Sequence, residues 1–174
     1  MTADVSANHL HLTDLDIGFL NSHAHLKPPL RSTRDKEALC QGLKDGTLDA
    51  ICSDHTPVND DEKLLPFTES EAGATGLELL LPLALKWAEN QKLGLADAIA
   101  KITYQPASIL GINSGELSVG SDADIAIFSP EKIWKVTPGQ LKSHGKNTPF
   151  LGLEVMGKVQ YTLLHGQITY QNLS

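Results

Sequence analysis

The chain has 174 residues, of which 41% are hydrophobic and 20% are charged, as is usual for a soluble globular protein. Its formal net charge of −7 argues against the basic surface that non-specific nucleic-acid binding requires. The N-terminal residues lack the features of a secretory signal, and the apolar stretch LELLLPLAL is too short to span a bilayer. Because Cys40 and Cys52 form no CxxC motif, we expect a protein of the reducing cytoplasm. From the net charge and the short apolar stretch we expect neither a nucleic-acid nor a membrane partner.

The first predicted element is a strand over residues 3–12, where apolar and polar side chains alternate loosely. Residues 13–31 are irregular, with room for a short strand before two prolines. A helix is predicted to begin after Ser32, a good capping residue, and to end near Gly46. Residues 47–53 predict a second strand, and the strand–helix–strand order favours parallel pairing.

A long polar loop, residues 56–74, follows the second strand, and loops of this length in a compact domain are usually functional or mobile. A helix is predicted at about 75–91 from its apolar stripe, with Pro82 implying either a kink or a later start. Pro106 is then expected to open a short helical turn that ends at Gly111.

The composition changes near residue 112, after which glycines separate several β segments. The segment DIAIF predicts one strand, and the segments on either side of His165-Gly166 predict two more in a hairpin. We therefore expect an α/β part over residues 1–112 and a small β subdomain over residues 113–174.

The α/β part contains too few elements to form a complete parallel sheet. Two or three parallel strands with so few helices cannot have both faces covered, as parallel sheets require. We therefore expect the chain to belong to a larger barrel, completed by the missing barrel half or by assembly with a second copy. Without such cover, the faces around Leu10, Leu48 and Ile51 are expected to be exposed.

Asp54 is the strongest candidate for chemistry, because it directly follows an apolar strand. In parallel α/β folds, residues at the carboxyl ends of strands carry the active site. An Asp in this place can bind a metal and accept a proton from metal-bound water, whereas a role in a turn or a helix cap is the alternative. The neighbouring His55 is expected to support local hydrogen bonding.

Two His-x-His pairs could each place two imidazoles on one face of a strand, as a pair of metal ligands requires. They are weaker candidates, because zinc usually needs four ligands, or three and a water, and no further ligand lies nearby in the sequence. The pairs are His9 with His11 and His23 with His25.

Several motifs together resemble one known family. The segments SANHLHLTD, KPPLRS, GTLDAICSDHTP, GATGLE, GELSVGSDADIAIF and NTPFLG follow one another as in the C-terminal part of bacterial dihydroorotases, which are metal-dependent amidohydrolases. The segment GELSVGSDADIAIF resembles the pattern GxLxxGxxADxxxF, which is typical of the amidohydrolase superfamily as a whole. PPLRS and NTPF narrow the resemblance to dihydroorotases and allantoinase-like relatives.

The resemblance implies an α/β fold that forms the C-terminal portion of a (β/α)8 barrel, about strands six to eight, followed by a small β subdomain. The family's reaction is the reversible cyclisation of N-carbamoyl-aspartate to dihydroorotate at one or two zinc ions. By the same resemblance, Asp54 would contact the metal and transfer the proton, and the backbones of Ala72 and Gly73 would contact the substrate.

Three positions depart from the family's pattern. Asn8 stands where strand six supplies a histidine ligand, unless the alignment shifts by one residue onto His9. Lys27 replaces an asparagine, and Val58 replaces a histidine, both of which contact the substrate in the family. Losing such hydrogen-bonding groups costs roughly 1–3 kcal/mol each where a partner stays unpaired.

With these departures, the chain resembles the non-catalytic dihydroorotase homologues that associate with aspartate carbamoyltransferase, an enzyme of pyrimidine biosynthesis. We therefore expect a structural partner of that enzyme, with a vestigial Asp54 and no zinc bound by this chain. Two alternatives stay open: part of an active zinc dihydroorotase, and another cyclic-amide hydrolase in which Lys27 meets an acidic group.

Overall fold

The computed structural model describes residues 1–172, with short strands and helices in the first part and three longer strands in the second. The strands are β1 (Asp4–Ser6), β2 (Ala50–Cys52), β3 (Ile125–Lys135), β4 (Glu154–Leu164) and β5 (Gln167–Gln171). The α-helices are α1 (Ala7–His11), α2 (Thr33–Asp45), α3 (Asp60–Lys63), α4 (Leu80–Asn90), α5 (Leu95–Ala100) and α6 (Tyr104–Leu110). Short 3₁₀ helices cover Asp14–Ile17, Ser22–Ala24 and Leu77–Leu79. Across residues 1–172, every helix is too short or too polar to cross a membrane.

β1 and β2 form a parallel pair with Val5 opposite Ile51, as the order of the elements predicted. β1 is shorter than expected, because the chain turns into α1 directly after Ser6. The Ser6 hydroxyl caps this helix by accepting a hydrogen bond from the backbone N–H of Asn8. The prediction of a strand over residues 3–12 is therefore wrong beyond Ser6.

The helix α2 begins and ends where the sequence predicted. Ser32 and Asp35 form a capping box, in which the Ser32 N–H donates to the Asp35 carboxylate at 3.1 Å and the Asp35 N–H donates to the Ser32 hydroxyl at 3.3 Å. Gly46 follows in the left-handed conformation, with φ at 85°, and ends the helix. Ahead of α2, residues 13–31 hold 3₁₀ turns in place of the short strand considered from the sequence.

The helix α4 starts at Leu80, later than its apolar stripe predicted. Pro82 consequently lies in the first turn, where its missing N–H costs the helix no hydrogen bond. This is the later start that the proline allowed, and the face of α4 that carries Trp87 is buried. The helix α6 starts at Tyr104, two residues earlier than the predicted opening at Pro106, so this proline also lies in the first turn of its helix.

β3, β4 and β5 form an antiparallel sheet in that order. The predicted hairpin is confirmed, because His165 and Gly166 have φ at 48° and 78°, the positive angles that a two-residue type I′ turn requires. β3 is longer than the predicted segment DIAIF and pairs with β4 on both sides of an irregularity between Ser129 and Ile133.

The sheet approaches α4 closely at Gly157 in β4. Its φ is 94°, and a Cβ atom there would lie 2.5 Å from Cδ1 of Leu85 in α4. Only glycine combines this conformation with this spacing. The indole N–H of Trp134 in β3 donates to the Gly157 carbonyl at 3.1 Å, so the glycine contacts both a neighbouring strand and a helix.

One hydrophobic cluster contains residues from both parts of the chain, including Leu43 from α2 and Val136 after β3, each fully buried. The division into residues 1–112 and 113–174 stays a prediction.

The expected exposure of the faces around Leu10 and Ile51 is wrong. Both side chains are 4% exposed, because α1 and β2 each pack against α4. Leu48 is partly buried against the same cluster. The helix that follows the long loop therefore supplies cover that the strand pair was expected to lack.

Candidate functional site

Asp54 lies two residues after β2, at the carboxyl end of the parallel pair, where the sequence placed it. Its backbone is left-handed, with φ at 48°, a conformation that Asp adopts more readily than most residues. The residue is half-buried. The left-handed turn ends the strand and leads the chain into the long loop.

Cys52, the last residue of β2, stays a neutral thiol beside this turn. Burial raises the pKa of its thiol to about 12, and a hydrogen bond with Asp4 and the charges of Asp4 and Asp54 act in the same direction. Since the thiolate is the form that attacks substrates, Cys52 is a poor nucleophile near neutral pH.

His55 connects the start of the long loop to its end. Its Nδ1 accepts hydrogen bonds from the backbone N–H groups of Gly76 and Leu77, both at 3.2 Å. The backbone of His55 also forms a parallel bridge with Ala74. These contacts are the local hydrogen bonding that the sequence suggested for this residue.

Asn147 joins three segments that are distant in sequence, and its side chain is fully buried. Its Oδ1 accepts from the Val58 N–H at 2.8 Å and lies 3.2 Å from the Thr75 hydroxyl, which shares its single proton between this oxygen and the Gly145 carbonyl at 2.9 Å. Its Nδ2 donates to the carbonyls of Thr56 at 3.2 Å and Gly73 at 3.0 Å. The carboxamide thus makes three full hydrogen bonds and shares a fourth with the Gly145 carbonyl. We call Asn147, Thr56, Val58, Gly73 and Thr75 the Asn147 clasp.

The residues predicted to contact substrate lie in and around this clasp. Gly73 has both backbone groups engaged, since its N–H donates to the His25 carbonyl at 2.9 Å and its own carbonyl accepts from the clasp. Val58 is 5% exposed, Ala72 is half-buried and Lys27 is exposed. The substrate contacts of Ala72 and Gly73, and the loss of such contacts at Lys27 and Val58, stay predictions.

Asn8 and His9 are buried in α1, just beyond the carboxyl end of β1. The Asn8 side chain is 2% exposed, and its Nδ2 finds no hydrogen-bond partner among residues 1–172. The ring of His9 donates through Nε2 to the Pro29 carbonyl at 3.3 Å. Asn8 would place a carboxamide where a ligand histidine was expected, whereas the alignment shifted by one residue would place His9 there, and the assignment stays a prediction.

His11 is held by packing against α4. Its Nε2 donates to the Leu83 carbonyl at 2.8 Å, and its ring meets Phe150 edge-on with centroids 6.4 Å apart. Burial lowers the pKa of His11 to about 4, and the charges of Lys86 and Lys36 act in the same direction. The neutral imidazole is therefore the form that the fold stabilises.

His23 and His25 also have separate surroundings. The Nδ1 of His25 lies 3.0 Å from the Ser70 hydroxyl, and its ring lies 4.7 Å from that of Phe67. Burial lowers the pKa of His23, and the charge of Lys63 acts in the same direction. The contacts of His25 and the partial burial of His23 are those of packed histidines.

The metal-ligating residues of this chain do not by themselves fit a zinc site. Within residues 1–172, no three His, Cys, Asp or Glu side chains come together as metal ligands. Zinc needs three or four protein ligands, and Asp54 supplies one carboxylate. A site that used Asp54 would need its other ligands from outside the described residues.

Sequence reasoning missed Lys63, a buried lysine in α3. Its Nζ donates to the carbonyls of Ser22 at 3.0 Å and Glu71 at 2.6 Å, which fastens the loop after β2 to a 3₁₀ helix. No local signal identifies it, because a lysine beside acidic residues is usually solvated. Asn147 does stand in the motif NTPF, but its partner Val58 lies 89 residues away.

The fold matches solved structures over nearly the whole chain. The L-hydantoinase (dihydropyrimidinase) from Arthrobacter aurescens superimposes with a TM-score of 0.88 at 28% identity, covering 98% of this chain and 39% of that one. The dihydropyrimidinase from Brevibacillus agri NCHU1002 gives a TM-score of 0.88 at 24% identity, with the same coverage, a likeness of fold alone. The fold is thus an α/β fold that matches a portion of these structures.

The chain belongs to the amidohydrolase family, whose model matches residues 9–169. Curated dihydroorotases from Geobacter sp. (strain M21) and Syntrophus aciditrophicus (strain SB) are 40% and 42% identical to it over 171 residues. The aligned part is 98% of this chain and 40% of each relative. The resemblance to amidohydrolases and dihydroorotases is confirmed, whereas the assignment to barrel strands six to eight stays a prediction.

We predict that Asn147→Ala destabilises the protein by about 2–4 kcal/mol, because it leaves several buried partners of the clasp unpaired. Asn147→Asp is expected to be destabilising as well, since a carboxylate cannot donate to the carbonyls of Thr56 and Gly73. Urea unfolding measures both effects. The exposed Asn113, changed to Ala, is the matched control and should shift stability by less than about 0.5 kcal/mol. An equally small effect of Asn147→Ala would contradict the clasp.

A second prediction concerns acid stability. The folded-state pKa of His11, about 4, lies below the ordinary 6.5, so the unfolded chain takes up the proton more readily. The free energy of unfolding should therefore fall between pH 6.5 and 4 by up to about 3 kcal/mol from this group. His11→Gln can still donate to Leu83 but does not titrate, and it should lose this component in urea titrations at several pH values. If the free energy of unfolding fell equally with pH in the unchanged protein and in His11→Gln, the acid destabilisation could not be assigned to His11.

Proposed function

We propose that this chain is part of a dihydroorotase-like protein of pyrimidine biosynthesis that supports assembly with aspartate carbamoyltransferase and does not itself catalyse the reaction. The identity of 40% and 42% to two dihydroorotases supports the dihydroorotase-like part of the proposal. The non-catalytic part rests on the side chains of Asn8, Lys27 and Val58.

Asn8 is the observation that carries the non-catalytic role. It occupies the position of an expected histidine ligand, next to the strand that pairs with the one ending at Asp54. Because zinc sites use three or four protein ligands, exchanging one imidazole for an amide removes a large part of the site. Ligands elsewhere in a longer protein would not restore the imidazole that Asn8 replaces.

Val58 and Lys27 support the same conclusion. Val58 is buried, and its backbone N–H is bonded within the clasp, so its apolar side chain is part of the packing where an imidazole was expected. Lys27 places a long, exposed cation where a short amide was expected. Both changes remove hydrogen-bonding groups that a polar cyclic amide requires of a binding site.

A catalytic zinc dihydroorotase is the second candidate, and Asp54 is the observation that favours it. This carboxylate keeps its place at the strand end, and the similar proteins are named dihydroorotases. In that case Asp54 would be one ligand of a metal held mainly by residues outside this chain. Another cyclic-amide hydrolase is a weaker third candidate, supported by the 28% identity to an L-hydantoinase.

We also propose a cytoplasmic location, because Cys40 and Cys52 are both free thiols, as a reducing compartment favours. The bound partner would be aspartate carbamoyltransferase, and the missing part of a barrel or a second copy of the chain would complete the parallel sheet.

The purified protein is expected to retain no stoichiometric zinc and to hydrolyse dihydroorotate no faster than buffer does. Elemental analysis and a dihydroorotate assay measure the two quantities, with the Syntrophus aciditrophicus dihydroorotase assayed alongside. Asn8→His is the matched variant, introduced into the longer protein that contains the missing part of the barrel, and a gain of bound zinc in that variant alone would support the argument from Asn8. Stoichiometric zinc with turnover in the unchanged protein would overturn the proposal in favour of the second candidate.

The assembly role is tested by co-expression with the aspartate carbamoyltransferase of the same organism. The two proteins should co-elute from a size-exclusion column at a mass above that of either alone. Elution as two separate species at micromolar concentration would count against the partnership, whatever the zinc content.

A further inference from the structure

A cleft lies between the antiparallel sheet and the segment that follows β3, and its lining includes neither Asp54 nor a residue of the Asn147 clasp. It has a volume of about 230 Å³. Aromatic side chains and lysines make up much of its wall. Its lining includes Glu78, Trp134, Lys142, Lys158, Val159 and Tyr170.

Two lysines of the cleft lie against its two aromatic rings. The Lys158 ammonium is 4.6 Å from the centroid of the Trp134 ring, and the Lys142 ammonium is 5.8 Å from that of Tyr170. Lys158 also donates to Oε1 of Gln140 at 2.6 Å, which fixes the position of its charge. Trp134 is itself held, because its indole N–H donates to a backbone carbonyl. The cations and rings are therefore pre-positioned.

The cleft has more positive than negative charge. Among residues 1–172, its lining contains one carboxylate, that of Glu78, whose two oxygens accept hydrogen bonds from the backbone N–H groups of Lys142 and Ser143. Two lysines line the cleft, and Lys132 is close enough to Lys158 to repel it. A local excess of cations is unusual on a chain whose net charge is −7.

We propose that this cleft binds a small planar anion, namely a single-ring aromatic or heteroaromatic carboxylate. The two ammonium groups would meet the carboxylate, and the rings of Trp134 and Tyr170 with the side chain of Val159 would meet the flat apolar part of the ligand. The size of the cleft sets the class, because pockets for drug-sized ligands measure about 300–1,000 Å³. A single ring fits, whereas a nucleotide does not.

The electrostatics of Lys158 support an anionic ligand. Burial lowers the pKa of Lys158, and the charges of Lys132 and Lys142 lower it further. A bound carboxylate would offset the repulsion between these ammonium groups. No residue of the cleft takes part in the proposed non-catalytic role, so the two proposals stand or fall separately.

The test is a titration of isotope-labelled protein with benzoate, with benzamide and acetate as probes that lack the charge and the ring respectively. The readout is the indole N–H resonance of Trp134, assigned with Trp134→Phe. Benzoate should shift this resonance to saturation, and the buried Trp87 should report that the fold is unchanged. Benzamide and acetate should each bind at least about tenfold more weakly, as the loss of one charge-assisted or stacking contact implies.

Lys158→Met is expected to weaken benzoate binding by about tenfold or more, and Lys142→Met by a smaller factor. Lys135→Met is the matched control, because it removes the same charge from the residue next to Trp134 without altering the lining of the cleft. It should change the affinity by less than about twofold. The proposal would be overturned by the absence of a saturable Trp134 shift, by equal binding of benzamide, or by equal losses in Lys135→Met and Lys158→Met.

Discussion

The buried carboxamide of Asn147 is the interaction on which the arrangement of the strand-end loops depends. A buried amide is costly unless its oxygen and its N–H groups are all hydrogen-bonded, and this one bonds to Thr56, Val58, Gly73 and Thr75. It holds together the exit from β2, the end of the long loop and a segment near residue 147. Since its partners are themselves buried or belong to the backbone, the four bonds act as a unit.

This arrangement separates the scaffold from the chemistry. The clasp bonds mainly to backbone groups, so it is compatible with many side chains on the loops that it holds. The fold can therefore match a hydantoinase with a TM-score of 0.88 while Asn8 and Val58 differ from the expected ligand and substrate contacts. Similarity of fold consequently carries less information about activity than the identity of a few side chains does.

Sequence reasoning succeeded where the deciding contacts are local. The capping box at Ser32 and the turn at His165-Gly166 depend on neighbours within a few residues, and both were predictable. It failed at residues 7–11, where the loose alternation suggested a strand but Ser6 caps α1, and the helix is held against α4 by a bond from His11 to Leu83, 72 residues further along. The place of Asp54 was predictable from the strand before it, but its hydrogen-bonded surroundings were not, since Asn147 and Thr75 reach that loop only through the tertiary fold.

Gly157 makes the sheet and the helix beneath it interdependent. One absent methyl group sets the spacing between β4 and Leu85, and the carbonyl of the same residue orients the indole of Trp134. A larger residue at this position would strain the backbone of β4 and press against the Leu85 side chain, next to the wall of the cleft that Trp134 forms. The packing of α4 in the interior and the position of Trp134 at the surface are therefore linked through a single residue, so a substitution of Gly157 is expected to affect both.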